Sequence, residues 1–229
     1  MHGIEERTDP VRIVRRLKPG GGTRAFARLT RRDALAWHAL AGEVAAVLEP
    51  RLDRRVAANR TGLAGRGWRL EDVSGAAARA GRVTGVHLGL VLHTDVERFY
   101  ESVTPTVLGA TLRAIGLDAG HAARAAAMLE GWARSGCRGL PVGPPGSAVM
   151  ANAVLVPVDR VLGLRPFVRW VDDYRIAVAS HQDAALVLTR MDAALAGLGL
   201  RRSPAKTGVG PARELPFPGS SSGIAGPGP

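Results

Sequence analysis

Two adjacent aspartates, Asp172 and Asp173, are the residues of this chain best placed to do chemistry. An apolar, strand-like run begins at residue 167 and leads into them, and a second one leaves them and ends at residue 179. Adjacent carboxylates repel each other, and burying them without a partner is costly. A tight hairpin between the two runs would present the pair at its tip, where a cation can reach both side chains. The alternative interpretation is a solvated Asp-Asp turn.

Four further segments accompany this pair in a fixed order along the chain, and each combines polar side chains with conformationally special residues. They are the basic, glycine-rich residues 18–24, the strand-like residues 89–100, the proline-rich loop 139–147 and the residues 199–207. Each segment alone carries little information. Their order and spacing, taken together with the acidic pair, are what is informative.

In this order, the segments resemble the fingers and palm of reverse transcriptases, and the similarity is to the bacterial group II intron, retron and abortive-infection types. Asp95, with Phe99 and Tyr100 after it, resembles the first catalytic motif. The Leu-Pro-Val-Gly-Pro loop resembles the second motif, Asp172-Asp173 the third, and residues 199–206 the fourth. Residues 18–24 are similar to the finger motif that precedes the palm, so the resemblance covers roughly residues 12–210.

The resemblance implies an RNA-directed DNA polymerase that adds dNTPs to a primer 3′-hydroxyl by two-metal nucleotidyl transfer. The cofactor would be a pair of Mg²⁺ ions, with Mn²⁺ as an alternative, because Mg²⁺ prefers oxygen ligands. The implied ligands are Asp95, the backbone carbonyl of Val96, Asp172 and, as a less certain third carboxylate, Asp173. Lys206 is the implied general acid that protonates the pyrophosphate leaving group.

The resemblance also implies a set of residues that bind the incoming dNTP: Lys18, Arg24, Tyr100, Gly143 and Pro144. Lys18 and Arg24 would hold the triphosphate, and Tyr100 would exclude a ribose 2′-hydroxyl. The alternatives are an ordinary basic hairpin and a half-buried aromatic side chain. Of 31 Lys and Arg residues only Lys18 and Lys206 are lysines. Since lysine, unlike arginine, can change its proton affinity, their place in the motifs supports the assignments.

The predicted fold class is α+β, a polymerase palm in which an antiparallel sheet carries helices on one face. The predicted regions are a fingers-like region at 1–85, the palm at 86–210 and a disordered Pro/Gly/Ser-rich tail at 211–229, with the thumb missing. Within the palm the pattern predicts a hairpin at 167–179 and a short edge strand at 200–202. The helices are predicted at 33–48, 105–116, 119–134, 147–162 and 182–198.

Composition limits the partners. The net charge of +11 and the pI of about 11.3 suit a polyanion, which here means an RNA or DNA template–primer. A separate accessory subunit would supply the thumb. Cys137 is the single cysteine, which excludes an internal disulfide. No apolar run reaches the ~18 residues of a membrane span, and the first residues are unlike a signal peptide, so we expect a cytoplasmic protein with no membrane partner.

Three alternative functions remain open at the level of sequence. Val142, followed by Gly-Pro, replaces the glutamine of many reverse transcriptases and resembles abortive-infection relatives, which favours an antiviral defence polymerase that extends DNA without a template. A second alternative is an inactive nucleic-acid-binding remnant. A third is a nucleotide cyclase, which normally has Gly-Gly before its acidic pair, whereas this chain has Trp170-Val171.

Overall fold

The computed structural model describes residues 7–17, 21–64, 67–71 and 89–211. Lys18 lies outside the described residues, and so does the predicted tail beyond Pro211. The strands are β1 (Arg12–Leu17), β2 (Thr23–Arg28), β3 (Thr61–Ala64), β4 (Gly67–Leu70), β5 (Leu90–Asp95), β6 (Phe167–Trp170), β7 (Asp173–Val178) and β8 (Gly208–Pro211). The α-helices are α1 (Arg31–Leu48), α2 (Phe99–Ser102), α3 (Pro105–Ala114), α4 (Ala119–Ala133), α5 (Pro145–Val161) and α6 (His181–Gly197).

The central sheet has the strand order β6-β7-β5-β8, and every neighbouring pair in it is antiparallel. Two separate antiparallel hairpins, β1–β2 and β3–β4, precede it in the chain. The predicted α+β class with an antiparallel sheet is therefore confirmed. No helix in the described part of the chain is both long enough and apolar enough to cross a membrane.

The helices begin where capping residues predict. Thr104 accepts a hydrogen bond from the Val107 amide at the start of α3, and Pro105 occupies the first helical position. Asp118 caps α4 in the same way, and Ser180 caps α6 through the Asp183 amide. These side chains satisfy backbone N–H groups that have no partner inside the helix, which fixes each helix start.

The edges of the central sheet differ from the prediction. At the β6 edge, Arg169 pairs in parallel with residues 55–57: its amide donates to the Arg55 carbonyl, and its carbonyl accepts from the Ala57 amide, both at 2.9 Å. At the other edge, the strand predicted at residues 200–202 is wrong. Only Arg202 forms a bridge there, because the chain turns at Pro204, which has no amide to donate, and pairing resumes in β8.

The two faces of the sheet carry different residues because side chains alternate along a strand. Leu92, Tyr174 and Ile176 are buried and belong to the same hydrophobic core as α5. The opposite face carries His93, Asp95 and their cross-strand partners on β7. The sheet therefore presents these ionisable side chains on the face that points away from this core.

Helix α5 is buried on almost all sides, as its apolar sequence predicts. Asn152 and Asp159 are its two strongly polar buried side chains. They lie seven positions apart and therefore face the same side of the helix. That side meets Arg169 on β6, where the guanidinium bonds to both of them.

Candidate active site

The two aspartates lie at a strained two-residue turn. Trp170 pairs with Asp173, so Val171 and Asp172 alone connect β6 to β7. Val171 has φ of 60°, a left-handed conformation that a β-branched residue rarely adopts. Tight hairpins of this kind usually place glycine at that position. The hairpin predicted from sequence is confirmed, and it stores backbone strain next to the acidic pair.

Asp95 meets this turn from the neighbouring strand. It is the last residue of β5 and lies directly opposite Asp173 on β7. The amide of Val96 donates to the Asp172 carbonyl at 3.2 Å, and the Asp95 carbonyl accepts from the Ser203 amide at 2.8 Å. The backbone thus brings the three predicted carboxylates to one end of the sheet.

Lys206 joins the carboxylates from the far end of the chain. Its Nζ donates to Asp95 Oδ2 at 2.7 Å, although 111 positions separate the two residues. A short 3-10 turn at Pro204–Lys206 presents the side chain, which is 62% exposed, whereas that of Asp95 is 11% exposed. The hydrogen bond to Asp95 raises the pKa of the Lys206 ammonium. The structure therefore places a protonated ammonium group at the acidic end of the sheet.

Asp172 lies in an environment that disfavours its charged form. Burial, and then the negative charge of Asp95, raise its pKa to about 6, while hydrogen bonding to its backbone amide and the charge of Lys206 oppose that rise. Two carboxylates that disfavour each other's charge form a site that a cation stabilises.

Asp173 has a different environment from Asp172. Its Oδ2 lies 3.1 Å from His93 Nε2, and its Oδ1 accepts from Arg175 Nε at 3.2 Å. Both of its oxygens therefore contact basic side chains of the protein. The negative charge of Asp95 acts on Asp172, whereas the Asp173 carboxylate is held between His93 and Arg175.

The candidate ligands at this site suit magnesium better than a metal whose ligands must all come from the protein. Among the described residues, no three His, Cys, Asp or Glu side chains converge in a way that could hold a metal ion. Mg²⁺ commonly binds through one or two carboxylates, keeps several waters and takes its remaining ligands from substrate phosphates. Asp95 and Asp172 are the two carboxylates that such a site would use.

Tyr100 borders the acidic end from helix α2. Burial and the charge of Asp172 raise the pKa of its phenol, while Arg24 lowers it, so both charges act on the ring. Its carbonyl accepts from the Leu140 amide at 2.7 Å. Gly139 has φ of 65°, and a Cβ there would lie 2.1 Å from that carbonyl. Only glycine lets the loop approach Tyr100 this closely.

The loop then docks on the N-terminal hairpin. The Ala27 amide of β2 donates to the Val142 carbonyl at 2.9 Å, and Gly143 packs beside Phe26. Pro144 precedes the first residue of α5. Arg24 is exposed on the same strand, β2. The structure thus links the loop of Gly143 and Pro144 to Tyr100 on one side and to the strand of Arg24 on the other.

One buried polar cluster escaped the sequence reasoning. Arg169 is fully buried, with an exposed fraction of 0%, and its guanidinium binds both oxygens of Asp159 at 2.8 Å. It also donates to Asn152 Oδ1 and to the Val171 carbonyl, each at 2.8 Å. The Tyr174 hydroxyl donates to Asp159 at 3.0 Å. The available signal was a charged residue in an apolar strand, together with two polar residues seven apart in an apolar helix.

Comparison with known proteins supports the fold. No protein family and no curated protein sequence matches the chain. Among solved structures, the chain is similar to telomerase from Candida albicans in complex with a TWJ fragment of telomeric RNA, with a TM-score of 0.57 and 12% identity. The similarity covers 91% of this chain and 43% of the telomerase chain, so this chain spans less than half of that protein. The chain therefore has an α+β fold compatible with the polymerase fold of telomerase.

Proposed function

We propose that the chain is a reverse transcriptase of the bacterial type, an RNA-directed DNA polymerase that transfers dNTPs to a primer 3′-hydroxyl. The observation that carries the proposal is the convergence of Asp95 and Asp172 at one end of the sheet, with Lys206 bonded to Asp95. The likeness in fold to telomerase, a polymerase of the reverse-transcriptase type, supports the same class of reaction.

The carboxylates of Asp95 and Asp172 and the Val96 carbonyl are the proposed ligands of Mg²⁺ or Mn²⁺. Asp173 would serve as a third carboxylate only by giving up its contacts with His93 and Arg175. When bound, a pair of such ions would activate the attacking hydroxyl and stabilise the leaving pyrophosphate. Lys206 is the side chain of this protein that would donate a proton in the reaction.

The reaction forms a bond between the primer O3′ and the α-phosphorus of the dNTP and breaks the bond from that phosphorus to the bridging oxygen. The primer hydroxyl would lose its proton to a solvent water, and pyrophosphate would leave with the bonding electron pair. Lys206 would give its proton to this leaving group. Its exposed side chain can exchange Asp95 for a neighbouring phosphate, because both are anionic acceptors within reach of a flexible ammonium group.

The substrate would approach between β2, α2 and the loop at residues 139–144, which contacts both elements. Arg24 would bind the triphosphate, as would Lys18, which lies outside the described residues. Tyr100 is held by the Leu140 amide through its own backbone and would stand against the sugar. Gly143 and Pro144 would shape the base side. Tyr100 in this position implies a preference for deoxynucleotides.

Template and primer would bind to basic surface. The register of the β1–β2 hairpin places Arg12 opposite Arg28 and Arg16 opposite Arg24, so that the four arginines share one face. All four are exposed. Such a face, on a chain of net charge +11, suits the phosphates of RNA or DNA. The telomerase structure likewise contains RNA. A separate subunit would complete the grip on the duplex.

A second candidate keeps the same chemistry but dispenses with the template. It rests on Val142, a half-buried aliphatic residue at the loop position where many reverse transcriptases have glutamine. This residue favours a defence-associated polymerase that extends DNA without copying. The two candidates differ in template dependence alone.

The test is dNTP incorporation by the purified chain with Mg²⁺, on poly-rA/oligo-dT and on primer without template. Asp172→Asn should abolish incorporation, because it removes a carboxylate charge from the metal site. Asp118→Asn is the matched control: it makes the same substitution at an exposed helix cap, where asparagine caps equally well. It should keep wild-type activity.

The assays with and without template distinguish the two candidate functions. Incorporation that needs poly-rA supports the reverse transcriptase, and incorporation without template supports the defence polymerase. Folded protein that binds nucleic acid but incorporates nothing in any lane would identify a catalytically inactive remnant. Full activity in Asp172→Asn would contradict the site.

A further inference from the structure

The buried cluster around Arg169 is built in a way that stability alone does not explain. Taking Arg169 and Asp159 out of water is costly, and apolar residues of similar volume often stabilise a core equally well or better. The pair nevertheless lies in the core, with exposed fractions of 0% and 6%. The carboxylate is fully hydrogen-bonded, since both Asp159 oxygens accept from the Arg169 guanidinium. A function other than stability is therefore needed to account for it.

The remaining guanidinium contact points to that function. Nη1 of Arg169 donates at 2.8 Å to the carbonyl of Val171, the residue that adopts the left-handed conformation in the turn. The next carbonyl, that of Asp172, accepts from the Val96 amide. The strained turn is thus held from the core by a side chain and from β5 by a backbone amide.

Arg169 is itself fixed from several directions. Asn152, which accepts from its guanidinium, donates through Nδ2 to the Ala58 and Asn59 carbonyls at 3.2 and 3.0 Å. The backbone of Arg169 pairs with residues 55–57. Helix α5, strand β6 and the segment at 55–59 therefore meet at one guanidinium. A side chain anchored this firmly can hold a strained carbonyl in place.

We propose that Arg169 is a positioning residue: anchored on Asp159 and Asn152, it holds the Val171 carbonyl and so fixes the Asp172 carboxylate beside Asp95. The role in metal binding and catalysis rests on the proposed function. The role in fixing the turn does not, because it concerns the protein without metal or substrate.

The opposite end of the same hairpin provides a matched control. Arg165 also binds an aspartate with two bonds, at 2.7 and 2.8 Å to Asp183, and also donates to a hairpin carbonyl, that of Ala177, at 3.1 Å. The chemistry is the same, but the carbonyl lies far along β7 from the turn. The two ends also have matched backbone reporters: the Val96 amide, which bonds to Asp172, and the Ala177 amide, which bonds to the Pro166 carbonyl.

The experiment replaces each pair by groups that cannot hold a carbonyl. Asp159→Leu/Arg169→Met/Tyr174→Phe keeps the core filled and removes the buried charges together. Arg165→Met/Asp183→Asn is the control. Amide hydrogen exchange is measured on the metal-free proteins, and Mn²⁺ binding is measured on the same proteins from the free Mn²⁺ signal in electron paramagnetic resonance.

We expect the Arg169 triple variant to lose exchange protection at Val96 and to keep it at Ala177, with the reverse in the control. Mn²⁺ affinity should fall by about 10- to 100-fold in the triple variant, as for other residues that orient metal ligands, and should stay unchanged in the control. Val96 protection at the wild-type level in a folded triple variant would overturn the proposal. So would an equal loss at both reporters.

Arg169→Lys keeps the test decisive if the triple variant does not fold. A lysine retains the positive charge beside Asp159 but lacks the planar fork that reaches Asp159, Asn152 and the carbonyl together. Loss of Val96 protection in this variant supports positioning, and retention contradicts it. If the wild-type chain binds Mn²⁺ but incorporates no nucleotide, the proposed function fails while the amide result still decides the role of Arg169.

Discussion

The two ends of the β6–β7 hairpin carry the same ion pair in opposite environments. Arg165–Asp183 at the open end is partly exposed, at 30% and 21%, whereas Arg169–Asp159 at the turn is enclosed in the core. In each pair the guanidinium binds both carboxylate oxygens and one hairpin carbonyl. What differs is the neighbour: the open end leads into the capped start of α6, and the turn end carries Asp172.

The two arginine–aspartate pairs make the same contacts, yet the pKa of the aspartate is lowered in one pair and raised in the other. The Arg165 hydrogen bond lowers the pKa of Asp183. Burial raises the pKa of Asp159, although Arg169 and Tyr174 oppose that rise. The exposed pair is therefore an ordinary surface contact that favours the charged carboxylate. The buried pair places two ionisable groups where water cannot solvate them, which is consistent with a role in geometry rather than in stability.

Replacing the arginine of each pair should give the largest difference in stability between the two ends of the hairpin. Arg169→Met leaves Asp159 buried without its counter-ion, and we expect a loss of about 3–5 kcal/mol in the free energy of unfolding. Arg165→Met leaves Asp183 in contact with water and should change stability little. Urea unfolding of both variants at pH 7 measures this. Equal losses at the two ends would refute the distinction.

The same hairpin shows how far sequence could lead. The apolar runs on either side of the aspartates predicted its strands, and the order of the motifs predicted the acids at Asp95 and Asp172. The strand prediction depends on local pattern, which the structure preserves, whereas the acids were assigned through the family resemblance. Arg169 was not predicted to have any role, because its importance comes from Asp159 and Asn152 on a different element. A single sequence does not show which polar residues of a helix face which strand.

The sheet edge illustrates a second limit. Residues 200–202 have strand-like composition, yet only Arg202 forms a bridge, to Val96 directly after β5, and the chain then turns at Pro204. The turn brings Lys206 to Asp95. Register is decided by long-range pairing, which the local composition does not encode. The presence of Lys206 at the site was implied only by the family resemblance, and its bond to Asp95 was not predicted.

Asp172 gives the second prediction, and it concerns the acid that the buried pair would position. A pKa of about 6, in place of the usual 3.8, means that the folded protein binds this proton more tightly than the unfolded chain does. The resulting stabilisation is fully present below pH 3.8 and is lost as the pH rises through about 6. The charged carboxylate therefore destabilises the metal-free protein at neutral pH.

Asp172→Asn should accordingly raise the free energy of unfolding at pH 7 by on the order of 2 kcal/mol, since it removes a disfavoured charge. The gain should shrink as the pH falls toward 4, where the wild-type carboxyl is already neutral. Chemical unfolding in EDTA at several pH values measures this, with Asp118→Asn as the control for the substitution. A variant that is no more stable than wild type at pH 7 would show that Asp172 is not electrostatically strained.

The smallest predicted effect separates the ion pair from the turn. The Tyr174 hydroxyl bonds to Asp159 but not to the turn, so Tyr174→Phe removes one support of the buried carboxylate and leaves the Arg169 contact with Val171 intact. We expect a loss of about 1.5 kcal/mol in urea unfolding, typical of a hydrogen bond to a charged group. Protection of the Val96 amide should stay at the wild-type level. If Tyr174→Phe exposes that amide as fully as the loss of Arg169 does, then general loosening of the core, and not the guanidinium, controls the turn.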